Sequence, residues 1–151
     1  MHASGALVCR NACKTDLEAI LRLYSQLSSN NPDVPEVLAQ KRFDKMLDML
    51  GLYFGVGEIE GRVVTTAVLL LVPNLTRGAR PFGVIENVVT DAAMRGNGFG
   101  KTLIQYLLER ARYADAYKVM LMTGRTEDNV LHFYESCGFT RGTKTAFEVR
   151  F

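Results

Sequence analysis

Apolar side chains in the first fifty residues recur with a helical period. Leucine, isoleucine and tyrosine follow Leu17 at spacings of three and four, which predicts an amphipathic helix. The segment Thr15–Glu18 has the spacing of a capping box at its start. A second helix is predicted from Pro35, which suits a first helical turn, to Gly51, which ends it. A short strand over residues 7–10 is predicted before both helices.

Beyond residue 51 the pattern becomes that of extended chain. Leu52–Glu58 and Arg62–Val72 flank Glu60-Gly61, which is a good hairpin turn. Phe82–Thr90 is rich in β-branched residues and is predicted as a third strand of this group. A glycine-rich turn follows. The remaining predicted elements are a helix that ends near Ala114, a strand over Lys118–Thr123, a helix over Asn129–Cys137 and one or two final strands over Phe139–Phe151, turning near Gly142.

The predicted order of elements is β-α-α-β-β-β-α-β-α-β-β. This order indicates a mixed α/β fold, with a mostly antiparallel central sheet and flanking helices. In the second half of the chain, the predicted succession of strand, helix and strand indicates a locally parallel pair of strands. The 151 residues suit one domain spanning residues 1–151, and no repeat or linker divides them.

Composition narrows the class of protein. Hydrophobic residues make up 48% and charged residues 23%, as in an ordinary soluble domain. A net charge of +2 predicts no nucleic-acid partner. The longest apolar run, Ala67–Val72, is too short to cross a membrane. Cys9, Cys13 and Cys137 lack the spacing of a metal site, and with no secretory signal their odd number favours a cytoplasmic location.

The glycine-rich turn between the third of these strands and the following helix is the main candidate for chemistry. Gly96, Gly98 and Gly100 alternate there, although glycine costs backbone entropy. The first turn of a helix leaves N–H groups unpaired, and these groups bind anions. Because Arg95 and Lys101 add positive charge, the turn is predicted to bind a phosphate group. The alternative is a tight turn without a ligand.

Two common phosphate motifs do not fit this turn. A P-loop ending at Lys101 would need glycine at the position of Arg95. A dinucleotide fingerprint that begins at Gly96 would need glycine at the position of Lys101. The sequence therefore disfavours a nucleotide phosphohydrolase.

The run Arg95-Gly96-Asn97-Gly98-Phe99-Gly100 fits the pattern [RQ]-x-x-G-x-[GA]. It resembles the acyl-CoA loop of the GNAT superfamily of N-acetyltransferases. Val88–Asp91 resembles the strand before that loop, and Asn129–Phe139 resembles the second conserved segment of the superfamily. The resemblance covers about residues 52–151, while the first fifty residues match only in having two helices.

The resemblance implies transfer of an acetyl group from acetyl-CoA to a primary amine, by direct attack on the thioester and without a metal. It also implies a small-molecule acceptor and, by analogy, a homodimer. The positions that it assigns to the cosubstrate are Val88, Val89, Thr90, Arg95, Gly96, Asn97, Gly98, Gly100, Lys101 and Asn129. Asn129 could equally be the N-cap of its helix.

Direct transfer requires an acid that protonates the leaving sulfur. It also requires a group that takes the proton of the amine, because a free amine has a pKa of about 10.4 and is protonated at neutral pH. The resemblance assigns the acid role to Tyr134. The alternative for Tyr134 is core packing on an apolar helical face, and the two readings are compatible. Cys137 is predicted to be a core residue and His132 to be exposed.

Glu86 is the candidate base or acceptor contact. A carboxylate inside an apolar strand is unexpected, and burial would raise its pKa. Strand alternation predicts that it shares a face with Val88 and Thr90. The alternatives are a solvated edge residue or an ion pair with Arg62 or Arg80.

Three segments especially resemble the glucosamine-6-phosphate N-acetyltransferase branch, in which a glutamate at this position contacts the acceptor. They are Ile85–Val89, Lys118–Leu121 and Phe133–Phe139. Met122–Asp128 has no clear counterpart to the acidic acceptor contact of that branch. An amino sugar or its phosphate is therefore favoured over other small amines, with a protein N-acetyltransferase or a non-catalytic acyl-CoA-binding regulatory module as alternatives.

Overall fold

The computed structural model describes residues 5–151, and in this part of the chain five strands form one sheet with α-helices on both faces. The elements are β1 (Val8–Asn11), α1 (Leu17–Tyr24), α2 (Glu36–Leu47), β2 (Leu52–Ile59), β3 (Arg62–Val72), β4 (Phe82–Thr90), α3 (Phe99–Tyr113), β5 (Lys118–Leu121) and α4 (Asp128–Ser136). The predicted mixed α/β fold is confirmed.

The strands lie in the order β1-β2-β3-β4-β5, and every neighbouring pair is antiparallel except β4 and β5. The predicted β2–β3 hairpin turns at Glu60 and Gly61, whose φ angles are 50° and 77°. Two consecutive positive φ angles match the twist of the paired strands, which explains the Gly61 position. The parallel β4–β5 pair follows from the helical crossover through α3.

Apolar residues of the sheet point to two separate cores, one on each face. The core under α1 and α2 is built on Ile20, Leu23, Phe43, Phe54, Val56, Val63, Val68 and Val89. The core under α3 is built on Ala67, Leu69, Ile85, Leu103, Ile104, Leu107, Ala111 and Cys137. Strand alternation sends neighbouring residues such as Val68 and Leu69 to opposite cores. The sheet is therefore the middle layer of three.

The chain enters α1 differently from the predicted capping box. A short 3-10 helix, Lys14–Asp16, precedes α1, and the Cys13 N–H donates to a carboxylate oxygen of Asp16 at 2.7 Å. Asp16 is buried and accepts two further hydrogen bonds from Arg10, at 2.7 and 2.9 Å. The Thr15–Glu18 prediction is wrong because this buried ion pair, rather than Thr15, holds the start of the helix.

Asp16→Asn is expected to destabilise the protein by about 2 kcal/mol. The Arg10 guanidinium holds the pKa of Asp16 near about 2, below its usual 3.8, and each pKa unit corresponds to about 1.4 kcal/mol. Because the folded pKa is lowered, this stabilisation is present above about pH 4 and is lost as the pH falls towards 2. Urea unfolding at pH 7 and pH 3 measures both effects.

Asp115→Asn is the matched control, because Asp115 pairs with Arg80 at an exposed site. Exposed ion pairs contribute roughly 0–1 kcal/mol. Equal losses of unfolding free energy in the two variants would show that the Arg10–Asp16 pair contributes no more than an exposed ion pair.

The C-terminal segment departs from prediction. The turn near Gly142 forms, with a φ of 79°, but no strand forms over Phe139–Phe151 in the single chain. Residues 140–151 form no backbone hydrogen bond with the described sheet. Phe147 and Phe151 consequently project into solvent. No helix among residues 5–151 is long and apolar enough to cross a bilayer.

Candidate active site

The sheet opens between β4 and β5, next to the glycine-rich turn. Phe82–Ile85 of β4 pairs with Lys118–Leu121 of β5, and the pairing stops there. The rest of β4, residues 86–90, has a neighbour on the β3 side alone within the described sheet. Its other edge therefore offers backbone N–H and C=O groups to a ligand between the strands.

A β-bulge interrupts β4 at this opening. Glu86 pairs with Val68 and Val89 pairs with Thr66, so two residues of β4 lie opposite the single residue between them on β3. Asn87, inside the bulge, has a φ of 54°, a left-handed conformation that asparagine tolerates better than most residues. Such bulges re-aim the side chains of a strand.

The bulge changes which residues share a face. Val88 packs into the core under α3, whereas Val68, the partner of Glu86, belongs to the core under α1 and α2. Directly paired residues share a face, so Glu86 and Val88 point to opposite sides of the sheet. The predicted common face for Glu86, Val88 and Thr90 is therefore wrong. Val89, which follows the bulge, is buried on the α1 side.

The turn after β4 is anchored before the glycines begin. The buried Asp91 carboxylate accepts from the Ala93 N–H at 3.1 Å and from Arg62 at 2.9 Å. Arg95 donates to the carbonyl of Thr90, the last residue of β4, at 3.2 Å. These bonds fix the path of the chain into the turn.

The loop itself exposes its backbone. Gly96 and Gly98 have φ angles of 80° and 78°, and a Cβ at either position would meet no other atom within 4 Å. The Asn97 amide donates to the carbonyls of Met94 and Arg95, at 3.0 and 3.3 Å, which holds the loop in shape. The glycines therefore serve the backbone conformation and leave open space over it.

The backbone N–H groups of residues 96–101 have no acceptor among the described residues. The first amide in the helix with a carbonyl partner is that of Thr102, which donates to Gly98 at 3.0 Å. Six unpaired donors at the start of a fifteen-residue helix fit an anion, because the helix dipole adds partial positive charge there. Lys101 lies exposed in the same turn. The residues present fit the pyrophosphate of CoA.

Gly100 differs from the other two glycines because it is buried. A Cβ there would lie 3.0 Å from the Thr90 hydroxyl and 3.2 Å from the ring of Phe133. The Thr90 hydroxyl is itself 2.9 Å from that of Thr65. The absence of a side chain at Gly100 thus lets α3 approach both β4 and α4, which keeps the three elements of the opening together.

Tyr134 lies on α4 and lines a groove together with residues of β5. Its ring packs edge-on against Phe133 and Phe139, with centroids 5.0 and 6.5 Å away. Burial raises its pKa, and nearby Cys137 and Glu86 raise it further. A higher pKa keeps the phenol protonated at neutral pH. These ring contacts confirm the core-packing reading of Tyr134, and its acid role stays a prediction.

Glu86 is exposed, so the burial expected for it is absent. The ion pairs considered for it are formed with other residues, since Arg62 binds Asp91 and Arg80 binds Asp115. Its charge nevertheless acts on Tyr134. The structure therefore shows the solvated-edge reading of Glu86, and its role as base or acceptor contact stays a prediction.

The other residues considered from the sequence lie on α4 or directly after it. Asn129 is the second residue of α4 and is exposed, while Glu127 occupies the N-cap, so its reading as a cap is wrong. Cys137 is buried in the core under α3 and His132 is exposed, as predicted. No cluster of three metal-ligating side chains occurs within residues 5–151.

Sequence reasoning missed three residues near the opening. The Arg125 cation acts on Tyr134 and lowers its pKa, opposing burial. Tyr24 has a buried hydroxyl with no hydrogen-bond partner in the described structure, and burial raises its pKa. Asn87 faces Tyr24 and opposes that rise, although no hydrogen bond of good geometry joins them. The polar pair at residues 86 and 87 inside an apolar strand was the available signal for the bulge.

Comparison with known proteins identifies the family of this chain. The model of the acetyltransferase (GNAT) family matches residues 17–139. Glucosamine 6-phosphate N-acetyltransferase of Trypanosoma brucei brucei is 46% identical over 79 residues, which are 52% of each chain. Glucosamine 6-phosphate N-acetyltransferase 1 of Oryza sativa subsp. japonica is 33% identical over 79% of this chain and 72% of its own. The chain spans about half the length of the first of these relatives.

Two solved structures have the same fold as this chain. A protein of Agrobacterium tumefaciens is 46% identical, with a TM-score of 0.91 over 95% of this chain and 99% of its own. An acetyltransferase of Trypanosoma brucei is 33% identical, with a TM-score of 0.81 over 97% of this chain and all of its own. With a family model that covers most of its length and an opened sheet beside an amide-lined turn, this chain belongs to the acetyltransferase (GNAT) family.

Proposed function

We propose that the protein transfers the acetyl group of acetyl-CoA to the primary amine of a small acceptor, with an amino sugar phosphate as the favoured class. The observation that carries this proposal is the opening between β4 and β5. Unpaired amides of residues 96–101 follow the free part of β4, which carries Glu86, and the Glu86 charge acts on Tyr134 of α4. An anion site and an acid–carboxylate pair are what the reaction requires.

Acetyl-CoA supplies an acyl group activated as a thioester. Transfer forms a bond from the amine nitrogen to the acyl carbon and breaks the carbon–sulfur bond. Tyr134 gives its phenolic proton to the departing sulfur. Glu86, an exposed carboxylate, attracts the acceptor ammonium and takes its first proton directly or through water. The second proton leaves the nitrogen after the attack and returns through solvent to the Tyr134 phenolate. The free edge of β4 offers N–H groups to the negative charge that develops on the acyl oxygen.

The preference for an amino sugar phosphate has two supports. The curated relatives are glucosamine 6-phosphate N-acetyltransferases, and Glu86 stands free of ion pairs within the described structure. A carboxylate that makes no internal pair is available for a cationic amine. Arg125 adds a cation on the loop before α4, close enough to act on Tyr134.

Release of free CoA from acetyl-CoA tests the proposal with a panel of acceptors. The panel contains glucosamine 6-phosphate, glucosamine, spermidine and a peptide with a free N-terminus. We expect kcat/KM for glucosamine 6-phosphate to exceed that for glucosamine at least tenfold. Preference for the peptide would identify a protein N-acetyltransferase. CoA binding without turnover of any amine would identify a regulatory module.

Glu86→Gln is expected to lower kcat/KM for the amine about 100-fold and to leave the KM for acetyl-CoA unchanged. The substitution keeps the shape of the side chain but removes the charge that attracts the ammonium and accepts its proton, an effect of about 10²–10⁴-fold in general. Steady-state kinetics with each substrate varied in turn measure it. Glu109→Gln on the exposed side of α3 is the control. An unchanged kcat/KM in Glu86→Gln would remove Glu86 from the mechanism.

We also propose a reducing, cytoplasmic setting and a reaction without metal, nucleic acid or membrane. Cys9, Cys13 and Cys137 are free thiols in the structure, which suits a reducing compartment. Cofractionation with cytoplasmic marker enzymes would test the location.

A further inference from the structure

The hydroxyl of Tyr24 is a buried polar group that the proposed reaction does not use. Tyr24 is the last residue of α1, and its ring packs against the core under α1 and α2. Its oxygen is buried, and among the buried side-chain oxygen and nitrogen atoms of residues 5–151 it alone has no hydrogen-bond partner. Because a buried hydroxyl without a partner is costly, its presence requires an explanation.

The Tyr24 hydroxyl lies beside the bulge of β4. Val89, which directly follows the bulge, belongs to the core against which the Tyr24 ring packs. Burial raises the pKa of the Tyr24 phenol, and the nearby Asn87 side chain opposes this rise. Asn87 is the left-handed residue of the bulge, with a φ of 54°. The hydroxyl and the Asn87 amide therefore face each other at the residue that decides the direction of Glu86.

The end of α1 is fixed to the sheet and to the turn after it by residues on both sides of Tyr24. Arg22 donates to the carbonyl of Val63 on β3 at 2.8 Å. The side-chain oxygen of Gln26 accepts from the N–H of Ala92, just beyond the end of β4, at 2.8 Å. These two bonds hold the end of the helix, and with it the Tyr24 side chain, in place against β4.

We propose that Tyr24 is a positioning residue for acetyl transfer, and that a hydrogen bond between its hydroxyl and the Asn87 amide holds the bulge that directs Glu86 to the face opposite Val88. The bond gives the buried hydroxyl a partner and fixes Asn87 at its positive φ. A left-handed residue other than glycine persists only where the surrounding structure holds it. Tyr24 therefore acts through Glu86 and does not touch the reacting atoms. This inference rests on the proposed function, in which Glu86 takes the proton of the amine.

Tyr24→Phe is expected to lower kcat/KM for the amine acceptor about tenfold and to leave the KM for acetyl-CoA unchanged. The ring and its packing remain, so the variant loses only the hydroxyl that holds the bulge, and Glu86 loses its alignment with the amine. Steady-state kinetics with each substrate varied in turn measure the change.

Tyr106→Phe is the matched control, because the Tyr106 hydroxyl donates to the side-chain oxygen of Asn11 at 3.3 Å, away from the bulge. It is expected to match the parent enzyme. If Tyr24 contributes to packing or stability alone, kcat/KM of Tyr24→Phe stays within twofold of the parent value, and the proposal is overturned.

Asn87→Gly tests the other side of the same bond. Glycine tolerates the φ of 54°, so this variant removes the amide and keeps the backbone conformation accessible. It is expected to lower kcat/KM for the amine about tenfold. The double variant with Tyr24→Phe is expected to lose no more than about tenfold, because both substitutions break one bond. A double variant that loses about 100-fold, the product of two independent effects, would contradict the proposed bond.

The parent enzyme distinguishes failure of this inference from failure of the proposed function. If the parent transfers acetyl to no amine, the proposed function is wrong, and the positioning role of Tyr24 is wrong with it. If the parent is active and Tyr24→Phe and Asn87→Gly keep its kcat/KM, only the positioning role is wrong.

Discussion

Replacing Tyr134 by phenylalanine is expected to lower kcat about 100-fold or more, while the KM for acetyl-CoA changes little. The ring contacts with Phe133 and Phe139 remain in the variant, so only the proton donor is lost. A positioned general acid contributes about 10²–10⁴-fold. Steady-state kinetics at pH 7.5 with saturating amine measure the change.

The pH dependence separates the acid role from a packing role. Burial raises the pKa of Tyr134 above its ordinary value of 10. The phenol is therefore protonated and active at neutral pH, and the rate should fall only as the pH passes that raised pKa. This alkaline decline should disappear in Tyr134→Phe. Tyr113→Phe, at a 96% exposed position on α3, is the control and should match the parent enzyme. A Tyr134→Phe rate within threefold of the parent would exclude the acid role.

Gly98→Val is expected to weaken the binding of CoA about 100-fold. Valine does not tolerate the φ of 78° at this position, so the loop must change conformation and its amides lose their common orientation. Each hydrogen bond to a charged group contributes about 1.5–3 kcal/mol, so the loss of one or two produces this effect. Calorimetric titration with CoA measures the dissociation constant.

Gly78→Val controls for backbone strain. Gly78 has a φ of 70°, and like Gly98 it has open space where a Cβ would lie, but it sits in the loop before β4. Both variants should lose similar stability, and Gly98→Val alone should lose affinity for CoA. Parallel losses of affinity would mean that the amide turn is not the anion site.

Much of the fold could be predicted from local pattern. Helical and extended periods located the elements in the described chain up to α4, because burial of one face imposes these periods on the sequence. The turn between β4 and α3 could also be predicted, since alternating glycines and two flanking cations are costly unless a backbone and an anion require them. Its structure matches: Gly96 and Gly98 both have positive φ angles.

The face on which Glu86 lies could not be predicted, because it depends on a bulge. Side chains alternate between the two faces only where each residue lies opposite one residue of the neighbouring strand. The bulge at the left-handed Asn87 places two residues of β4 opposite one residue of β3, so the alternation fails there. The same limit applies to the start of α1, where a buried Asp16–Arg10 pair replaces the local cap. Arg10 lies on β1 and Asp16 precedes α1, and hydrophobic periodicity does not show which charged side chains of two elements will pair.

The amino-acid sequence by itself determined the order of elements up to α4 and the glycine-rich turn after β4, while the association of that turn with the Tyr134 helix came only from the family resemblance. The first two features are local, because hydrophobic period and glycine position act within a few residues. Only the tertiary structure decided that Glu86 stands exposed near Tyr134 and that the strand-like tail after Gly142 is left without a neighbour in its own chain. Both depend on which backbone edges meet in space, and a strand has no fixed partner until the sheet has formed.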